Sequence, residues 1–307
     1  MAKREKNNMK LLIGLLGLMI FSASAKMPGF DIYIGDLLSQ DGLLEISHIK
    51  PVTQRPEYDN QPYFLPDGRS LLYTSARMKD GIEQTDSMFV SLVTGESVNL
   101  TDSPASEYSP TLMPNGRDFS VIWASDDKQK LWRYPLHPND KKSSLPSELL
   151  SKVNPVGYQA WIDSDNVLLF VLGEPHTLQR ANIRKQTIGV LDDNIGPSLY
   201  AIPGTKLMSF TSSVGVEDNL VWDLKSYNPD TNAIDVLTTL PKGAYYYGWS
   251  ADGKVIAAIG AQIQQWDMKS AQSLWLTIAD LSEICPKGLS RMTTNAQNTK
   301  IALVCIL

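Results

Sequence analysis

An all-β repeat protein is the fold class this sequence predicts, and three observations predict it. A strand–turn–strand unit recurs along the 307 residues. An apolar–hydroxyl pair keeps step with that unit at a fixed offset. The two ends of the chain each supply half of one unit. Four strands repeated over roughly 40–50 residues are the size of a propeller blade. The count is six, so the expectation is a six-bladed β-propeller closed by N-terminal strands completing the last blade.

The unit is clearest at Tyr63-Phe64-Leu65-Pro66-Asp67-Gly68, which leads into Arg69-Ser70-Leu71-Leu72-Tyr73. Forty-eight residues later Thr111-Leu112-Met113-Pro114-Asn115-Gly116 leads into Arg117-Asp118-Phe119-Ser120-Val121. Each reads as two strands about a tight turn, in which Gly adopts positive φ freely and Asp or Asn tolerates it. Degraded copies end at Asn166, Gly204 and Gly253. The weakest, Asn295 to Asn298, precedes Ile301-Ala302-Leu303-Val304.

The second marker is independent of the first. The hydroxyls of Thr53, Thr101, Ser151, Thr238 and Ser282, each after an apolar residue, stand fifteen residues before Gly68, Gly116, Asn166, Gly253 and Gln297. Gly189 takes that place in the fourth copy. Between successive hairpins lies an outer pair of strands, such as Met88–Leu92 and Ser97–Leu100; Leu131–Leu136, Asn219–Tyr227 and Gln262–Met268 read similarly. After the sixth hairpin the chain stops at Leu307. Phe30–Leu37 and Leu43–Ile49 supply two strands with no hairpin before them. Joining the two halves in one blade removes open sheet edges.

Residues 1–25 read as a signal peptide and 26–307 as a single propeller domain. Lys3, Arg4, Lys6 and Lys10 form a positive start, Leu11–Phe21 is apolar, and Ala23-Ser24-Ala25 is a small-x-small cleavage pattern. Met9 begins an equally complete signal. Such a leader implies a periplasmic or secreted protein with no membrane span after cleavage. The formal net charge of −5, with no basic run beyond the leader, argues against nucleic acid. A hydrophobic content of 43% is enough for a core, against disorder. Export permits a disulfide between the two cysteines, Cys285 and Cys305.

At Leu65-Pro66-Asp67-Gly68 and Met113-Pro114-Asn115-Gly116 the sequence resembles the WD-repeat-like propeller repeat of the TolB family. Pro62-Tyr63-Phe64, the run Tyr73-Thr74-Ser75-Ala76-Arg77, the Thr94-Gly95-Glu96 turn and Leu100-Thr101 carry the likeness further. The resemblance implies a binding propeller, here without the α/β domain that precedes the propeller in TolB. The same repeat caps serine peptidases, but no Gly-x-Ser-x-Gly nucleophile elbow occurs in this sequence.

Loops on the face opposite the Pro-Asp-Gly turns are the expected place for a site. Eight residues before each turn residue stand Asn60, Tyr108, Tyr158, Gly196 and Tyr245, with Tyr246 and Tyr247 adjoining the last. Tyrosines on that face suit a protein or peptide interface, since each offers apolar area and a hydroxyl; packing between blades is the plainer role for the same rings. The candidate binding residues are Tyr108, Tyr158, Tyr245, Tyr246, Asn60, Asp59 and Glu107. Acidic residues of that face, among them Glu57, Asp126, Asp127, Glu174, Glu217 and Asp218, would have to converge to hold a metal. His48, His137 and His176 lie on different blades without ligand spacing. No catalytic residue, metal ligand or cofactor is assigned. The leading expectation is a non-enzymatic scaffold for a protein or peptide partner in the cell envelope. The alternative is a hydrolase, lactonase or lyase using carboxylates at the channel mouth.

Overall fold

The computed structural model describes residues 26–137, 145–215, 220–270 and 274–307. The leader 1–25 and the residues Glu217, Asp218 and Asn219 named above lie outside them. Among the described residues, six antiparallel sheets of four strands each form the blades. The first blade has Asp59–Phe64 innermost, then Ser70–Lys79, Ile82–Ser91 and Ser97–Asn99. The second to fifth repeat that order, with innermost strands Ser106–Leu112, Val156–Trp161, Ile195–Ala201 and Tyr247–Trp249. Innermost strands of successive blades touch one another in a closed ring.

The sixth blade closes the ring as expected. Its inner strands are Leu289–Thr294 and Lys300–Ile306, and its outer strands are Phe30–Gln40 and Leu43–Pro51. The joint is a ladder in which Phe30 pairs with Ile306, Ile32 with Val304 and Asp36 with Lys300. Ile32 and Val304 are fully buried.

There is no single core. Six apolar clusters lie one at each blade–blade interface. Period-two alternation sends successive side chains of a second strand to opposite neighbours. Leu71 faces the sixth blade while Leu72 faces the second. Val167 and Leu169 face the second blade; Leu168 and Phe170 face the fourth. A strand buried on both faces is largely apolar, which is why a segment such as Val167–Val171 reads as an unbroken apolar run.

The turns show what the repeat conserves physically. Asp67 Oδ1 accepts from the amides of Arg69 (2.9 Å) and Ser70 (3.1 Å), and Gly68 sits at φ 64°. Asn115 Oδ1 does the same for Arg117 (2.9 Å) and Asp118 (3.0 Å), with Gly116 at φ 67°. Asp163 does so for Asp165 and Asn166, and Asn295 for Thr299 and Lys300, although Gly is gone from both turns. The side-chain acceptor outlasts the glycine because it replaces backbone hydrogen bonds within the turn.

The hydroxyl marker has a role of its own. Thr53 Oγ1 accepts from the amide of Ile32 at 2.9 Å, and Thr101 Oγ1 from that of Ser87 at 3.0 Å. Both amides belong to the third strand of the blade the chain is leaving. The hydroxyl satisfies a backbone donor beyond the end of the fourth strand. Asn99 works beside it, accepting from the amides of Thr101 and Asp102 and donating to Asp86.

Candidate functional site: the central channel

Five of the six innermost strands depart from a regular ladder, three of them from their first residue. The register shifts between Asn60 and Tyr63, Tyr108 and Thr111, Val156 and Tyr158, Ile195 and Leu199, and Leu289 and Met292. Such bulges re-aim side chains and are over-represented beside functional sites. Gln61 and Ser109 lie within them at φ 56° and 55°, in the left-handed region that non-glycine residues seldom occupy. Hydrogen bonds across blades hold them there. Gln61 Oε1 accepts from the Ser109 amide at 2.9 Å, and Gln159 Nε2 donates to the Ser109 carbonyl at 2.8 Å.

The irregular level surrounds a cavity of about 250 Å³ on the ring axis. Five blades contribute to its wall, through Gln61, Ser109, Tyr158, Ser198 and Arg291 among others. The residues of the wall bring aromatic rings together with side-chain atoms that are buried without a protein partner: Ser109 Oγ, Gln159 Oε1, Ser198 Oγ and Arg291 Nε. Trp161 also lines the cavity, its indole held by Ser120 Oγ at 2.9 Å. The equivalent indole, Trp249, is held by Ser209 Oγ at 2.8 Å, so blade repetition extends to this contact.

Arg291 is the cavity's charged group. It donates to the Tyr158 hydroxyl at 2.6 Å and lies over two rings, 4.1 Å from the centroid of Tyr246 and 4.9 Å from that of Tyr158. Burial acts to pull its pKa down, but the surrounding tyrosines, Tyr158 and Tyr246 foremost, outweigh that and the net direction is up. The guanidinium is charged. Burial in turn pushes the phenols of Tyr245 up to about 12 and of Tyr246 higher still, so both stay protonated.

The residues singled out in the sequence divide into two groups. Tyr158 lines the cavity and Tyr246 stacks on Arg291. Tyr108 and Tyr158 stand level in the ladder, paired with Ile122 and Phe170, but Tyr108 packs against the apolar cluster between the second and third blades. Tyr245 sits edge-on to Trp222 at 5.2 Å and to Tyr246 at 4.8 Å. Asn60 is buried, its Oδ1 accepting from the Gln61 amide at 2.7 Å. Asp59 is fully buried in a two-point ion pair with Arg55, at 2.6 and 3.0 Å. Glu107 is fully buried, its Oε1 accepting from Ser103 Oγ and from the Tyr134 hydroxyl at 3.0 Å.

No group of three or more His, Cys, Asp or Glu side chains able to hold a metal occurs among the described residues. His48 is exposed beside Asp36 at 3.0 Å, and His176 accepts from the Gly173 amide at 3.1 Å. Cys285 and Cys305 are joined, with Cα atoms 5.1 Å apart. No described helix is long and apolar enough to cross a membrane.

Arg291 was not among the sequence-derived candidates. It lies in the most degraded repeat, and the register shift moves it off the eight-residue offset. Its one sequence signal is a lone cation inside an inner strand, Leu289-Ser290-Arg291-Met292.

No family model and no curated protein sequence matches the chain. Solved structures do. A putative TolB from Agrobacterium tumefaciens superposes with a TM-score of 0.68 at 16% identity, over 92% of this chain and 99% of its own. TolB from Acinetobacter baumannii superposes at 0.56 and 11% identity, over 89% of this chain and 63% of its own. The puromycin-hydrolysing peptidase of Mycobacterium tuberculosis matches at 0.51 and 13%, over 83% of this chain and 45% of its own. At these identities the likeness concerns the fold. By fold, the chain is a six-bladed β-propeller, similar in fold to the propellers of these TolB structures.

Proposed function

We propose that this chain is an exported, non-enzymatic propeller that binds a protein or peptide segment at its central channel, in the periplasm or outside the cell. The observation that carries the reading is the convergence of five blades on one cavity of aromatic surface and partnerless polar groups. Such a wall suits a chain of mixed chemistry, whose backbone and side chains can satisfy those groups while the rings bury apolar area. The leader at residues 1–25 supports export.

Carboxylate chemistry at the channel mouth is less well supported. The described wall of the cavity holds no Asp or Glu. Asp59 and Glu107 are engaged elsewhere, by Arg55 and by Ser103 and Tyr134.

Partner capture from an envelope fraction, with wild type and Tyr158→Ala side by side, tests the reading. Loss of the Tyr158 ring should weaken binding by about 1 kcal/mol or more. Tyr108→Ala and Tyr245→Ala, at residues that do not line the described cavity, are the comparison. Melting temperature is measured on all three. A Tyr158→Ala protein that binds as wild type does, whatever its melting temperature, would remove the channel from the function.

A further inference from the structure

We propose that the channel recognises a carboxylate of the bound segment, seated on Arg291 between the rings of Tyr158 and Tyr246. The inference rests on the peptide-binding reading above and adds the chemistry of the group recognised.

Arg291 is the arginine that lines the described cavity; Arg133, which also has an unpartnered Nε and donates to Ser147 Oγ at 3.0 Å, does not line it. Arg55 is matched by Asp59 at 2.6 Å and Arg77 by Asp86 at 3.6 Å. Arg180 donates to the Tyr227 hydroxyl at 3.1 Å and the Pro229 carbonyl at 2.8 Å. Arg291 forms no ion pair with any described carboxylate, and its hydrogen-bond partner is one phenol oxygen. A guanidinium carries five N–H donors in a planar fork. One goes to Tyr158, and Nε has no partner.

Desolvating a charge without a counter-charge is costly. The two tyrosine rings repay part of that cost, because a guanidinium over a ring face is attracted by the ring quadrupole. The rings lie against the guanidinium, and of its donors one is taken up by the Tyr158 hydroxyl. A fork of parallel N–H groups matches the two oxygens of a carboxylate. No second Lys or Arg lines the described cavity, so the site offers one positive charge and suits a monoanion rather than a phosphate dianion. Gln159 and Ser198, each with a buried polar atom that lacks a partner, line the same cavity.

The test uses the propeller with its leader removed and two libraries of random decapeptides. One library presents side-chain carboxylates alone, its C termini being blocked, and the other presents free C termini. Peptides selected on wild type should carry Asp or Glu at one position, or depend on the free C terminus, which separates the two sources. Replacing that carboxylate by its amide should weaken binding about tenfold or more. The penalty should vanish on Arg291→Gln and shrink on Arg291→Lys, whose ammonium keeps the charge and loses the planar fork. Should Arg291→Gln fail to fold, the Nε resonance of Arg291 in wild type must still shift when the acidic peptide is added and not when its amide is. Selected peptides that bind equally as acid and amide overturn the carboxylate inference and leave channel binding intact. Absence of any selected peptide overturns both.

Discussion

Glu107 is a residue whose chemistry can be read from its surroundings. Both of its donors, Ser103 and Tyr134, point at Oε1, while Oε2 is buried with no partner. Burial outweighs those hydrogen bonds and lifts the carboxyl from 4.5 to about 7. The folded state therefore holds the proton more tightly than the unfolded chain does. That stabilisation is fully present below about pH 4.5 and is lost as pH rises through about 7. The span corresponds to a few kcal/mol at most, at ~1.4 kcal/mol for each pH unit. Glu107→Gln keeps a neutral side chain of the same shape. The wild type should lose melting temperature between pH 5 and pH 8 relative to Glu107→Gln. A constant difference over that range would show that Glu107 does not titrate there. In the sequence Glu107 stands in an acidic, hydroxyl-rich stretch that reads as a solvated loop. Its burial depends on Tyr134, 27 residues away, and local pattern cannot register a partner that distant. Tyr158 was legible because its position repeats; Arg291 was not, because a register shift is a one-residue event without a compositional mark.

At the scale of elements, hairpins and markers were legible because each serves a local need. Asp67 and Asn115 cap their own turns, and Thr53 and Thr101 satisfy backbone amides at blade exits. The assignment of side chains to one blade interface or the other was hidden, since runs such as Val167–Val171 are apolar on both faces. The disulfide belongs to this scale as well. Cys285 precedes the innermost strand of the sixth blade, and Cys305 lies in the next strand, opposite both Leu289 and Asp31. Both cysteines are buried in the cluster between the fifth and sixth blades. A cross-link over 20 residues stabilises mainly by restricting the unfolded chain, by roughly 3 kcal/mol for a loop of this size. Unreduced, denatured protein should show no free thiol. Reduction should lower the denaturation midpoint without changing binding at the channel. Two free thiols in the unreduced protein would refute the bond.

The whole molecule depends on how a ring of six similar sheets is closed. Five blades are continuous in the chain, while the sixth is assembled from both ends through the pairing of Phe30–Asp36 with Lys300–Ile306. Every interface has one apolar cluster, so opening the ring exposes more than a strand edge. It uncovers the cluster of Phe30, Ile32, Ala302 and Val304 against the first blade. Arg291 lies in the strand next to the joint, so the channel's charged group and the closure share one sheet. Deleting residues 301–307 removes the partner of Phe30–Gln40, the Cys305 thiol and the second strand of the blade together. Two open edges result, and unpaired edges recruit other chains. The expected outcome is association on size-exclusion chromatography and a broadened thermal transition. Carboxylate-bearing peptides should bind more weakly as well, since Arg291 loses the strand that positions it. Removing Leu276–Asp280 instead takes an outermost strand from the fifth blade and leaves the ring joined. That variant should lose stability yet remain closed and keep its affinity for the peptide. If the two deletions behave alike, the sixth blade is not a closure in any energetic sense.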